Sequence, residues 1–105
     1  MDKKYLIDFD EVILRQLEQA AKNQSIKAIL MKMLNRIEQL GPRAGELLDS
    51  QLGLYEVKSK QPPIRLYFEY DRGLEKITIF EYDMKTSPKS QKKTINRLRM
   101  RVSKA

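Results

Sequence analysis

Leu54-Tyr55-Glu56-Val57-Lys58-Ser59, Ile64-Arg65-Leu66-Tyr67-Phe68-Glu69-Tyr70 and Lys76-Ile77-Thr78-Ile79-Phe80-Glu81-Tyr82 decide the architecture. The first two runs alternate apolar with polar residues, the period of a strand with one buried face, and the third returns as the next strand. Gln61-Pro62-Pro63 separates the first pair, and Asp71-Arg72-Gly73 turns the second. Connections this short join antiparallel neighbours, so a three-stranded meander is expected. On the middle strand Ile64, Leu66, Phe68 and Tyr70 are expected to face a core, with Arg65, Tyr67 and Glu69 on the opposite face. On the first strand Tyr55 and Val57 point inward, which leaves Glu56, Lys58 and Lys60 beside Arg65. The last strand keeps two parities open: Ile77 and Ile79 favour one, Phe80 the other.

Working outward, Tyr5 to Phe9 reads as a short first strand. Asp10 caps an expected helix through Asn23, with Ile13, Leu14, Leu17 and Ala21 on one face. Ser25 is the expected cap of a second helix bearing Ile26, Ile29, Leu30, Met33, Ile37 and Leu40, a strong helical period. Gly41-Pro42 stops it, and residues 41–53 read as a loop whose Leu47, Leu48 and Leu52 tuck against the core. Ser87-Pro88 starts a final helix, with Gln91, Ile95, Leu98 and Val102 on one side and bases on the others. The expected fold is α+β and two-layered: an N-terminal strand and two helices packed on an antiparallel sheet, then a C-terminal basic helix. Residues 1–105 are expected to form a single domain.

The net charge of +7 is unevenly placed. Residues 1–50 balance, and the whole excess falls in residues 51–105. Beyond Asp83 stand Lys85, Lys89, Lys92, Lys93, Arg97, Arg99, Arg101 and Lys104, with no acid. Such asymmetry points to a polyanion or an acidic partner, or else to a solvated basic tail. The chain has no cysteine and no histidine, so thiol chemistry, imidazole acid–base work and the usual zinc ligands are excluded. No metal-ligand spacing and no cofactor motif is visible, and none is expected. Without a secretory core near the N-terminus or a membrane-length apolar run, a cytoplasmic protein is expected.

The outer sheet face collects Lys58, Lys60, Arg65 and Tyr67, with Lys85 at its edge. Cations interleaved with a tyrosine suit a phosphate backbone and a stacked base. They also suit RNA cleavage by a 2′-hydroxyl attacking its own phosphate. Clustered lysines can supply a base, and Arg65 fixed charge stabilisation. Tyr82 or Tyr67 can act as acid or stacking platform. Lys89, Lys92 and Lys93, at the acid-free start of the last helix, extend the anion-attracting surface. The alternative is that Lys58, Lys60 and Arg65 only solvate an exposed sheet face. Glu81 and Asp83 share a strand face, where pairing with neighbouring bases is their expected role.

Gly53-Leu54-Tyr55-Glu56-Val57-Lys58 followed by Ile64-Arg65-Leu66-Tyr67-Phe68 resembles the "GLYELR … YRIFY" core of RelE/ParE toxins. Lys85-Thr86 leading into a basic helix resembles the "F-x-K-K-T … P" ending of their phage-derived, HigB-like branch. The resemblance covers nearly the whole chain through short motifs. It implies the toxin of a toxin–antitoxin system: an mRNA endoribonuclease, free or acting on translating ribosomes, inhibited by a cognate antitoxin. It places family roles on Lys58, Arg65 and Lys85. The chain departs from the pattern in having Lys at position 58 for the usual Arg, a reduced "KKT" pair, and no His on the last strand. Two other functions share the fold: a ParE-like topoisomerase inhibitor that cuts no RNA, and a non-catalytic RNA-binding module.

Overall fold

The computed structural model describes residues 5–85 and 88–103. Elements run β1 (Leu6–Phe9), α1 (Glu11–Ala20), α2 (Gln24–Leu40), a 3-10 turn (Gly41–Ala44), β2 (Glu46–Asp49), β3 (Leu54–Lys58), β4 (Ile64–Asp71), β5 (Lys76–Met84) and α3 (Pro88–Ser103). One five-stranded sheet has the order β1-β5-β4-β3-β2. The expected meander is β3-β4-β5, antiparallel throughout. The sheet as a whole is mixed, because β1 lies parallel to β5, with Leu6 opposite Lys76 and Phe9 opposite Ile79.

Local chemistry explains most boundaries. Asp10 accepts from the Val12 amide and caps α1 as expected. For α2 the cap is Asn23, whose side chain accepts from Ile26, and not Ser25, which lies inside the helix. Gly41 closes α2 at φ 61°, where a Cβ would collide with the Tyr5 ring. The expected loop 41–53 contains the 3-10 turn and β2. That strand approaches β3 through Gly45, where any Cβ would meet the Glu56 carbonyl oxygen. Leu48 and Leu52 pack inward as expected, but Leu47 is exposed. Ser87, the expected cap of α3, lies outside the described residues, while Pro88 is the first residue of that helix.

Two cores flank the sheet. Between the sheet and α1/α2 lie Ile13, Leu30, Ile37, Leu66, Phe68, Ile77 and Ile79. On the other face Leu54, Tyr67, Phe80 and Leu98 form a second core, with Ile95 and Val102 against it. The sheet face expected to be open is thus partly covered by α3. A bulge resolves the parity of β5: Phe68 pairs with Ile79 and Tyr67 with Glu81, so Phe80 is the extra residue. Ile77 and Ile79 face α1 and α2, Phe80 faces α3, and Tyr82 returns to the first core. Gln16 of α1 binds both the amide (2.8 Å) and the carbonyl (2.9 Å) of Tyr82, satisfying β5 beyond the end of β1.

Candidate functional site

Cross-strand register aligns two rows on the α3 side of the sheet: Lys58–Arg65–Asp83 and Glu56–Tyr67–Glu81. The first row ends beside the 59–63 connection and Lys85. Lys58 Nζ lies 3.3 Å from Glu46 and 3.9 Å from Glu56. Arg65 is 13% exposed; its Nε is 4.0 Å from Glu56, and Nε and Nη1 have no hydrogen-bond acceptor. Glu56 is buried, and it accepts from the Gln91 amide of α3 at 3.1 Å. Tyr67 donates to Asp83 Oδ2 at 3.1 Å, which leaves Oδ1 of that carboxylate buried without a donor. Burial first, and then the Asp83 carboxylate, hold the Tyr67 phenol protonated far above its usual range. Lys85 bonds the Ser59 carbonyl through Nζ at 3.3 Å and the Pro63 carbonyl through its amide.

The structure brings Lys58, Arg65 and Lys85 to one end of the sheet, with Lys60 exposed on the adjoining connection. Two expectations are corrected. Tyr67 is fully buried under α3 and faces no solvent, because the apolar side of that helix needs a surface to cover. Tyr82 lies on the opposite sheet face, packed against the first core, because the bulge turns it there. The expected crowding of lysines is also absent: the charges beside Lys58 Nζ are carboxylates. Sequence reasoning missed Glu46, which lay in the supposed loop, and left Glu56 unassigned. The readable signal was Glu56-x-Lys58 opposite Arg65, acid and base in step on one face.

The basic helix divides in function. In its C-terminal half Arg97 pairs with Glu81, Arg99 with Asp49 at 3.0 Å, and Arg101 with Asp10 at 2.6 Å and Glu81 at 3.6 Å. Arg101 also sits over the Phe80 ring, 5.6 Å from its centroid. Glu81 takes the pairing role expected of it, although burial still outweighs both arginines and raises its pKa. In the N-terminal half Lys89, Lys92 and Lys93 are exposed and have no partner among the described residues. The helix is anchored by its arginines and presents its lysines.

Glu69, at the far end of the same sheet face, has a raised pKa through burial and then Asp71, only partly opposed by Lys76. A raised folded-state value means the native state holds its proton more tightly than the unfolded chain. Stability attributable to Glu69 is therefore lost as pH rises above the ordinary value of 4.5. Glu69→Gln is expected to flatten that part of the Tm–pH curve without lowering Tm at neutral pH. A mutant curve parallel to wild type between pH 4 and 7 would refute this.

No protein-family model matches the chain, and no curated protein sequence does. Solved structures do match. The isolated RelE toxin of E. coli superposes with a TM-score of 0.65 at 18% identity, covering 90% of this chain and 98% of that one. A chain of the RelBE2 toxin–antitoxin complex of Mycobacterium tuberculosis gives 0.62 at 19%, covering 83% and 100%. A chain of the intact E. coli RelBE complex gives 0.62 at 20%, covering 76% and 95%. The architecture, from parallel edge strand to C-terminal helix, is the fold of the RelE toxins.

Proposed function

We propose that this chain is a single-domain, cytoplasmic toxin of a toxin–antitoxin pair, an endoribonuclease that cleaves mRNA on translating ribosomes and needs no metal. The observation that carries the reading is Arg65: a guanidinium held in the sheet between Lys58 and Asp83, 13% exposed, with Nε and Nη1 buried and without acceptors. A cation fixed in place before the reaction, with part of its guanidinium at the surface, is a preorganised charge for a phosphorane-like transition state. Glu46, exposed beside Lys58, accepts the proton of the attacking 2′-hydroxyl. The 2′-oxygen–phosphorus bond forms as the bond from phosphorus to the 5′-oxygen breaks. Lys58 or Lys85 gives the leaving oxygen its proton, so the products are a 2′,3′-cyclic phosphate and a 5′-hydroxyl. Lys60, Lys89, Lys92 and Lys93 hold flanking phosphates. Neither Tyr67 nor Tyr82 takes the acid role in this scheme, since one is buried and the other faces away.

The fold match supports the toxin reading, and two of the matching structures are complexes with an antitoxin. A cognate antitoxin for this chain follows by the same likeness; an acidic segment that folds on binding suits a basic surface. Primer extension on cellular mRNA after brief induction tests the activity. Discrete in-frame cuts are expected in the wild type, and Glu46→Gln is expected to reduce them by about 10²-fold or more. Intact mRNA in growth-arrested cells would overturn the nuclease reading in favour of topoisomerase inhibition. Intact mRNA with normal growth would leave a binding module.

A further inference from the structure

A groove of about 500 Å³ runs between α2 and β3, with Ile29, Lys32, Met33, Arg36, Val57 and Lys58 in its lining and the carboxylates Glu46 and Glu56 at its Lys58 end. The α2 residues recur at three- and four-residue spacing, so they share one helix face. Met33 and Val57 are buried and make an apolar floor, while Lys32 and Arg36 are exposed on the rim. Neither of these cations has an ion-pair or hydrogen-bond partner among the described residues. The volume falls within the range of about 300–1,000 Å³ typical of sites that enclose small groups.

Resting on the nuclease reading, we infer that this groove is a second RNA subsite. It seats a nucleotide flanking the scissile phosphate, its phosphate on Lys32 and its base between Arg36 and the apolar floor. Continuity selects the occupant. Lys58 lines the groove and also stands in register with Arg65, so a strand cleaved at Arg65 passes directly into it. Charge agrees: Glu46 and Glu56 are held by Lys58, while Lys32 and Arg36 have no carboxylate partner among the described residues, so the α2 rim carries the uncompensated positive charge. A planar guanidinium stacks on a base while remaining solvated, which a lysine cannot do. The subsite would extend the footprint on RNA across the end of the sheet and along α2.

Fluorescence anisotropy with uncleavable 2′-O-methyl oligonucleotides tests it, comparing a ten-nucleotide probe with a trinucleotide. K32A/R36A is expected to bind the longer probe roughly tenfold more weakly and to lower the salt slope by about 0.7, one single-strand phosphate contact. Binding of the trinucleotide, which spans the scissile phosphate and its flanking nucleotide, should weaken as well. K22A/K27A, which removes the same charge from exposed positions at the α1–α2 junction and the start of α2, should leave both probes near wild type. Equal loss in the two double variants would show generic attraction and overturn the subsite. Wild-type affinity in K32A/R36A, with weaker binding in Arg65→Ala, would overturn the subsite and leave the nuclease reading intact. No binding of either probe by the wild type would overturn both. A deca-glutamate peptide that outcompetes the RNA and loses its own binding in K32A/R36A would reassign the groove to an acidic protein segment.

Discussion

Arg65→Ala is expected to abolish mRNA cleavage, by about 10²–10³-fold at least, while leaving a folded protein. The magnitude is that of removing one preorganised charge donor from a transition state. Two effects must be separated, because Arg65 also neutralises Glu56, a buried carboxylate. Deleting it leaves Glu56 with Lys58 at 3.9 Å and the Gln91 amide at 3.1 Å. The remaining partners limit the loss of stability to about 1–3 kcal/mol. Arg65→Lys distinguishes the roles. It restores a positive charge for Glu56 and most of the stability, but not the planar fork that meets two phosphate oxygens at once. The lysine variant is therefore expected to melt near wild type and still cut poorly. Thermal melts paired with primer extension on both variants provide the check. Full cleavage by Arg65→Ala would make this arginine a structural counter-ion only.

The meander was legible because β3 and β4 alternate and β5 follows across a short turn, and one buried face per strand is all that alternation encodes. It does not say what covers the other face. The sequence shows the apolar positions Ile95, Leu98 and Val102 on the last helix and an apparently open sheet face, yet nothing in either pattern pairs them. Tyr67 was misplaced for that reason: its face was right, and its burial depended on a helix over 20 residues away. Phe80 illustrates a different limit. A bulge inserts one residue, so both parities are written into β5 and only the register with Tyr67 and Phe68 tells where one yields to the other. β2 was invisible because Glu46-Leu47-Leu48-Asp49 has no alternation and its pairing depends on the missing Cβ of Gly45. With β2 went Glu46. The cations of the candidate site could be read from spacing, since bases on a sheet face need no partner to be noticed. Of the carboxylates that hold them, Glu56 could be read in step with Lys58 and Arg65, but its burial could not, since that depends on Gln91 and α3.

Phe68→Ala is expected to produce the largest loss of stability, about 3–5 kcal/mol, as for other buried phenylalanines. Phe68 has no exposed surface, and its ring stacks on Tyr55 with centroids 5.3 Å apart and planes 11° apart. Its edge also lies against Gly45, where an added Cβ would come within 3.1 Å of Cε1. The ring therefore supports the central strand, its neighbour β3, and the entry to β2. Domains of this size have about 5–15 kcal/mol in total, so the variant should remain folded only marginally. Its melting temperature should drop by roughly 10–30 °C. Phe68→Leu keeps apolar contact without the ring and should cost roughly 1–2 kcal/mol. A functional readout sharpens the test, because β2 carries Glu46 beside Lys58. At a temperature where both variants are folded, Phe68→Ala should cleave less than Leu30→Ala, a buried α2 substitution of similar cost that does not touch Gly45. A melting temperature within a few degrees of wild type would show that the ring does not hold the sheet. Equal cleavage by the two variants would show that β2, and Glu46 with it, keeps its place without the ring.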